Sequence, residues 1–215
     1  MRITVFGAAG SVGSRVVAEA LSRGHEVTAI VRDPARFPDL PAAANARAGD
    51  AADVEDVIEL STGQDLVISA TRPAPGHEQE LVATAKALLA GLARTRVRLL
   101  LVGGAGSLTV PDTGGIVVDD PRYVPPAWRD IALACCDQLD ACRAETGVDW
   151  AYLSPPALLR PGERTGRYRL GADELLVDPQ GLSRISMEDL AVALLDEAER
   201  SRHHRTRFTV AYSAT

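Results

Sequence analysis

The sequence predicts an α/β fold, a doubly wound parallel sheet in one domain spanning residues 1–215, with a small C-terminal lobe over 157–185. Three observations carry that expectation. Strand-like apolar runs alternate with amphipathic helical stretches from end to end. A glycine-rich turn, Gly7-Ala8-Ala9-Gly10-Ser11-Val12-Gly13, follows the first apolar run and opens a helical one. Runs such as DLVISAT at 65–71 are apolar almost throughout, as a strand covered on both faces requires.

Residues 2–6 (RITVF) read as the first strand, and 11–23 as a helix with Val12, Val16, Val17, Ala20 and Leu21 on one face. Gly24-His25 turns the chain into EVTAIVR, a second strand ending at Arg32. Asp33-Pro34 and the Pro/Ala-rich stretch to Ala43 predict a loop or frayed helix. A short strand over 44–48 leads to Gly49-Asp50, and DVEDVIEL is a helix. After the buried strand at 65–71, residues 79–92 form an amphipathic helix striped by Leu81, Ala85, Leu88, Leu89 and Leu92. RVRLLLVG (96–103) is the fifth strand, followed by a Gly/Pro/Asp-rich loop and a helix over 128–145. DWAYLS (149–154) is the sixth strand, stopped by Pro155-Pro156. The pattern then turns short and irregular until Ser186 and Asp189, a capping pair that opens the last helix (190–199). RFTVAY is the final strand.

Composition excludes several classes. A net charge of −6 argues against a nucleic-acid surface. No apolar run approaches the roughly 20 residues of a membrane span, and the chain enters a strand at once, so a cytoplasmic protein is expected. Cys135, Cys136 and Cys142 lack metal-ligand spacing and are expected to be reduced packing residues, with no metal bound.

A glycine-rich turn between the first strand and the first helix is an anion site. Free amide N–H groups and the positive helix end face the ligand, and missing side chains let a pyrophosphate approach. The spacing is G-x-x-G-x-x-G, and its place between strand and helix points to a dinucleotide. Arg32 bears on which one. An acid at the end of the second strand suits the ribose 2′-hydroxyl of NAD, whereas an arginine suits a 2′-phosphate. NADP(H) is therefore expected over NAD(H), against the plainer reading of Arg32 as a solvated strand-end residue partly offset by Asp33. Asp50 is placed to contact the adenine, or to cap the helix that follows.

FGAAGSVGS (6–14), GHEVTAIVRDP (24–34), LVGGAGSL (101–108), DWAYLSPP (149–156), PGERTGRYRLG (161–171) and SRISMEDLAVALLDE (183–197) together resemble the atypical short-chain dehydrogenase/reductase superfamily. The resemblance is to its NmrA-like and biliverdin-IXβ-reductase/flavin-reductase-like NAD(P)H-binding members, and it runs in order along nearly the whole chain. It implies a Rossmann fold with dinucleotide contacts from Gly7, Ala9, Gly10, Ser11, Val12, Gly13 and Arg32, then Asp50, Ala51, Ala70, Thr71, Gly103, Gly104 and Pro155.

The superfamily's usual acid is a tyrosine four residues before a lysine. The one lysine, Lys86, is preceded at that spacing by Val82, so the pair is absent. Relatives also place a Ser or Thr directly after the fifth strand, where this chain has Gly103-Gly104-Ala105-Gly106 and its first hydroxyl at Ser107. Ser107 is the candidate catalytic group, orienting a substrate, or else a loop serine serving its own turn. Tyr123, Arg164 and Tyr168 are candidate substrate contacts, the last two on a lobe expected to cover the substrate.

Without a placed acid, an acceptor that is already electrophilic is favoured, because hydride transfer is the cofactor's own chemistry. The expected function is NADPH-dependent reduction of a small planar flavin-, quinone- or carbonyl-type acceptor. The competing expectations are an NmrA-like dinucleotide sensor without catalysis and an isomerase or dehydratase of the same superfamily.

Overall fold

In the computed structural model, residues 1–213 are described; Ala214 and Thr215, the end of the expected domain, lie outside them. The elements are β1 (Arg2–Phe6), α1 (Ser11–Ser22), β2 (Glu26–Val31), β3 (Asn45–Ala48), α2 (Val54–Ser61), β4 (Leu66–Ser69), α3 (Glu80–Thr95), β5 (Arg98–Val102), α4 (Arg129–Ala144), β6 (Trp150–Ser154), β7 (Leu158–Arg160), β8 (Arg169–Gly171), β9 (Arg184–Ser186), α5 (Met187–Arg200) and β10 (Thr206–Ala211).

Eight strands form one sheet in the order β3-β2-β1-β4-β5-β6-β10-β8. All neighbours in it run parallel except β8, which pairs antiparallel with β10. The chain winds outward from β1 to β3, then returns to β1's other side and winds the opposite way. This is a Rossmann-like α/β fold, and the reversal between β1 and β4 leaves a crevice at the carboxyl ends of the strands. α1 and α5 cover one face, with Val16, Val17, Leu190 and Leu194 fully buried. α2, α3 and α4 cover the other around Leu88, Leu92, Leu99 and Tyr152. Each central strand is thus buried on both sides, which is why 66–69 and 98–102 read as continuous apolar runs.

Local signals set most boundaries. Asp53, and not Asp50, caps α2: its Oδ1 accepts from the N–H groups of Glu55 (2.8 Å) and Asp56 (3.2 Å). Ser186 caps α5 as expected, its hydroxyl accepting from Asp189 N at 2.9 Å. β4 stops at Ser69, two residues before the expected end, which frees Ala70 and Thr71 to enter the crevice.

The segment 157–185 departs from expectation. Its 162–168 stretch lies as a strap over α1 and α5. Gly162 N donates to Glu188 (2.7 Å), Gly166 N and the Thr165 hydroxyl donate to the buried Asp189 (2.7 and 2.6 Å), and the Tyr168 hydroxyl donates to Asp196 (2.6 Å). Further along, Leu175 joins Leu108, Val110 and Val117 in a small separate core. The lobe is therefore shared between 105–124 and 157–185, and its contributions to the crevice wall are Ala105, Gly106, Tyr123 and Val124 from the first and Ala157 and Leu159 from the second.

Candidate functional site

The crevice has a volume of about 620 Å³, within the range of small-molecule and cofactor sites. Its floor is the glycine turn after β1. Gly7 has φ +77°, a conformation open to glycine, and a β-carbon there would lie 2.6 Å from the carbonyl oxygen of Ala70. Gly10 begins α1 without a side-chain cap, so the first turn of the helix, Ser11 and Val12, faces the crevice with its amides. Gly13 serves differently: it is buried beneath the turn, where a β-carbon would lie 2.0 Å from Gly7 O. It lets helix and turn pack closely, and Gly7, Ala9 and Gly10 are the residues of the turn that line the crevice.

At the β2 end, Arg32 lines the crevice and is exposed, and its guanidinium makes no hydrogen bond among the described residues. Asp33 does not take it up, because its Oδ1 accepts from Ala35 N at 2.9 Å to start the turn over Pro34–Asp39. Arg36, missed in the sequence, lines the same end; its Nη2 donates to Ala9 O at 3.0 Å and its Nε pairs with Asp39. Asp50 and Ala51 also line this end. Asp50 accepts from Ala52 N at 2.9 Å, in a turn of its own.

Toward the far end, Ala70 and Thr71 follow β4, Gly103 and Gly104 follow β5, and Pro155 follows β6, all in the wall. The glycines are there for packing. A β-carbon on Gly104 would lie 2.7 Å from Cys135 Cβ, so the loop and α4 touch backbone to side chain. Tyr152 reaches under this loop from β6, accepting from Gly104 N (3.2 Å) and lying 2.9 Å from Cys135 O. Burial pushes its hydroxyl well above the usual tyrosine range. Burial likewise pushes the Cys135 thiol up to about 12.

Tyr123 stands in the wall as expected, with the Arg122 guanidinium over its ring at 5.2 Å. Three other candidates are elsewhere. The Ser107 hydroxyl is not in the lining and accepts from Arg207 Nη1 at 2.8 Å. Arg164 pairs at two points with Glu19 (2.7 and 2.8 Å), and Tyr168 is engaged with Asp196, both on the α1–α5 side. The crevice is lined instead by Trp128, Ile131, Ala132, Leu159 and Met187, which sequence reasoning passed over. Trp128 and Ile131 follow a proline-rich loop whose wall-forming role has no local signature.

A turn whose close packing requires glycine, an uncapped helix start and an arginine at the β2 end that is without a hydrogen-bonded partner among the described residues fit a dinucleotide phosphate group. The profile of the family described as NAD(P)H-binding matches residues 7–198, and this chain belongs to that family. Among solved structures it is 43% identical to a Burkholderia pseudomallei protein provisionally called exported, with 99% of this chain and 100% of that one covered and a TM-score of 0.88. It is 38% identical to a provisionally named epimerase from Bacteroides thetaiotaomicron, over 100% and 98% of the two chains at a TM-score of 0.89. A Streptococcus pneumoniae protein provisionally named an NADH-flavin reductase is 33% identical, over 99% of both chains at a TM-score of 0.86.

Proposed function

We propose that the protein is an NADPH-dependent oxidoreductase that reduces a small planar acceptor of flavin, quinone or carbonyl type, in the cytoplasm. The observation that carries the cofactor choice is Arg32, a guanidinium at the end of β2 with no side-chain partner among the described residues, where a 2′-phosphate needs a cation. Arg36 adds a second cation whose Nη2 is already fastened to the turn at Ala9. Asp50 and Ala51 would border the adenine, and Gly7, Ala9, Gly10, Ser11 and Val12 would take the pyrophosphate.

The reduced nicotinamide, when bound, supplies the hydride. The residues at the acceptor end align and enclose. Gly103, Gly104, Pro155, Pro156, Tyr123, Val124, Trp128 and Ile131 line this end without a carboxylic acid or lysine among them; the lining acid outside the β2 end is Glu80 at the start of α3, whose carboxylate is paired with His77 at 3.0 Å. An acceptor that takes its proton from water fits such a site better than an unactivated ketone. The reductase name of the Streptococcus relative supports this direction. For location, no helix of the described residues is long and apolar enough to cross a membrane, and three unpaired cysteines suit a reducing compartment.

The test is NADPH consumption against flavins, quinones and aldehydes, beside measured affinities for NADPH and NADH. A charge-assisted phosphate contact is worth about 1.5–3 kcal/mol, so Arg32→Asp is expected to erase most of a preference for NADPH. Equal affinities in the unmodified protein would end the NADP reading. Tight NADPH binding with no consumption by any acceptor would favour a dinucleotide sensor instead.

A further inference from the structure

Trp128 is the most exposed large apolar side chain among the described residues, at 55%, and it stands at the crevice. Its backbone is rigidly placed. Pro125 and Pro126 fix two successive φ angles, and Trp128 N donates to Pro125 O at 2.9 Å to close the turn over Pro126–Trp128. Arg129, the first residue of α4, is paired with Asp119 at 2.6 Å and steadies the same corner. Ile131 and Ala132 continue the apolar surface along α4, while Tyr123 rests on the small core of Leu108, Val110, Val117 and Leu175. The turn fixes the backbone that carries the indole, and the exposed ring leaves apolar area open to water that a flat ring would cover.

We infer that Trp128 is the platform on which a planar aromatic ligand stacks, and hence the residue that selects flat aromatic acceptors over aliphatic carbonyls. Calling that ligand an acceptor rests on the reductase reading above; the stack needs only the crevice. The indole N–H makes no hydrogen bond among the described residues, and Trp128→Phe, which keeps an aromatic face and removes that donor, separates stacking from hydrogen bonding.

The probe is lumichrome, a flat uncharged tricycle, bound to the protein saturated with NADP⁺ and measured by equilibrium dialysis. Trp128→Ala is expected to weaken lumichrome about 10-fold, the size of one aromatic stack with its buried area, while Trp128→Phe keeps most of the affinity. Both variants are expected to hold NADP⁺ within about twofold of the parent protein, because the cradle and Arg32 are untouched. With menadione as acceptor, Trp128→Ala is expected to raise KM with little change in kcat. Equal lumichrome affinity in the parent protein and Trp128→Ala overturns the platform, and so does a parent protein that binds no lumichrome. A loss shared by lumichrome and NADP⁺ also overturns it, by assigning Trp128 to the cofactor. Indole-dependent lumichrome binding in a protein that consumes no NADPH keeps the platform and removes the reductase reading.

Discussion

The ring of Tyr152 occupies the space that any side chain on Gly103 would need: a β-carbon there would lie 1.8 Å from Tyr152 Cζ. Tyr152 is fully buried on β6, and its hydroxyl ties the loop after β5 to α4. Overpacking a tight interior typically costs about 1–3 kcal/mol, so Gly103→Ala is expected to lower Tm by several degrees. Gly103→Ala with Tyr152→Leu should cost less than the sum of the single changes, because the methyl group then has room. Strict additivity in thermal unfolding would show that the two residues do not share this space.

Gly10 and Gly13 should fail in different ways. A β-carbon on Gly10 meets only Gly7 O, at 3.2 Å, whereas one on Gly13 drives into the same atom at 2.0 Å. Gly10→Val is expected to abolish NADPH binding with little change in Tm, by filling the approach to the turn. Gly13→Val should lose binding and stability together, since the turn itself must move. Calorimetric titration beside thermal unfolding separates the two, and a Gly13→Val protein with parental Tm would refute this division.

The strap is expected to depend on pH through Glu19. Bonding from Arg164 holds the Glu19 carboxyl below the usual glutamate range, against the opposing cost of burial, with Arg23 contributing further. A carboxyl lowered in the folded state adds stability that is fully present above its unfolded pKa and is lost as pH falls through its folded one. Glu19→Gln leaves two arginines short of a partner and is expected to cost about 1–3 kcal/mol at neutral pH. The Tm difference between parent and variant should shrink steadily below about pH 4.5, near the ordinary glutamate pKa. A difference that stays constant down to pH 3 would exclude Glu19 as the titrating group.

Ser107→Ala is expected to reduce turnover less than about 10-fold, below the 10²–10⁴-fold of a placed general acid. The hydroxyl serves Arg207, so the visible effect should be on stability. Steady-state rates with menadione or a flavin read this directly. A loss above 10³-fold would return Ser107 to the reacting atoms.

The glycine turn and the capping serine of α5 were legible because each acts through its own backbone or its nearest turn, and the place of Arg32 followed from the length of β2. Periodicity identified the buried strands for the same reason, since a strand covered on both faces must be apolar at every position. Asp50 was ambiguous at that level: two acids three residues apart can each cap a helix, and the hydrogen bonds of Asp53 decide between them.

The sequence by itself determined the α/β alternation and the glycine turn after β1, though Gly13 packs beneath that turn and Arg36, fastened to it at Ala9, was passed over. Only the tertiary structure decided where the polar residues of the lobe go and what walls the acceptor end. Arg164 had Glu19 as its partner 145 residues away, and nothing near it in the chain signals that choice. Local spacing dictates which face of an element is buried, because burial follows from the element's own geometry. A long polar side chain, or a tryptophan in a loop, instead takes its place from whichever distant element packs beside it. The strap closes over α1 and α5 because Glu19, Asp189 and Asp196 converge there, and the crevice is left to Tyr123 and Trp128.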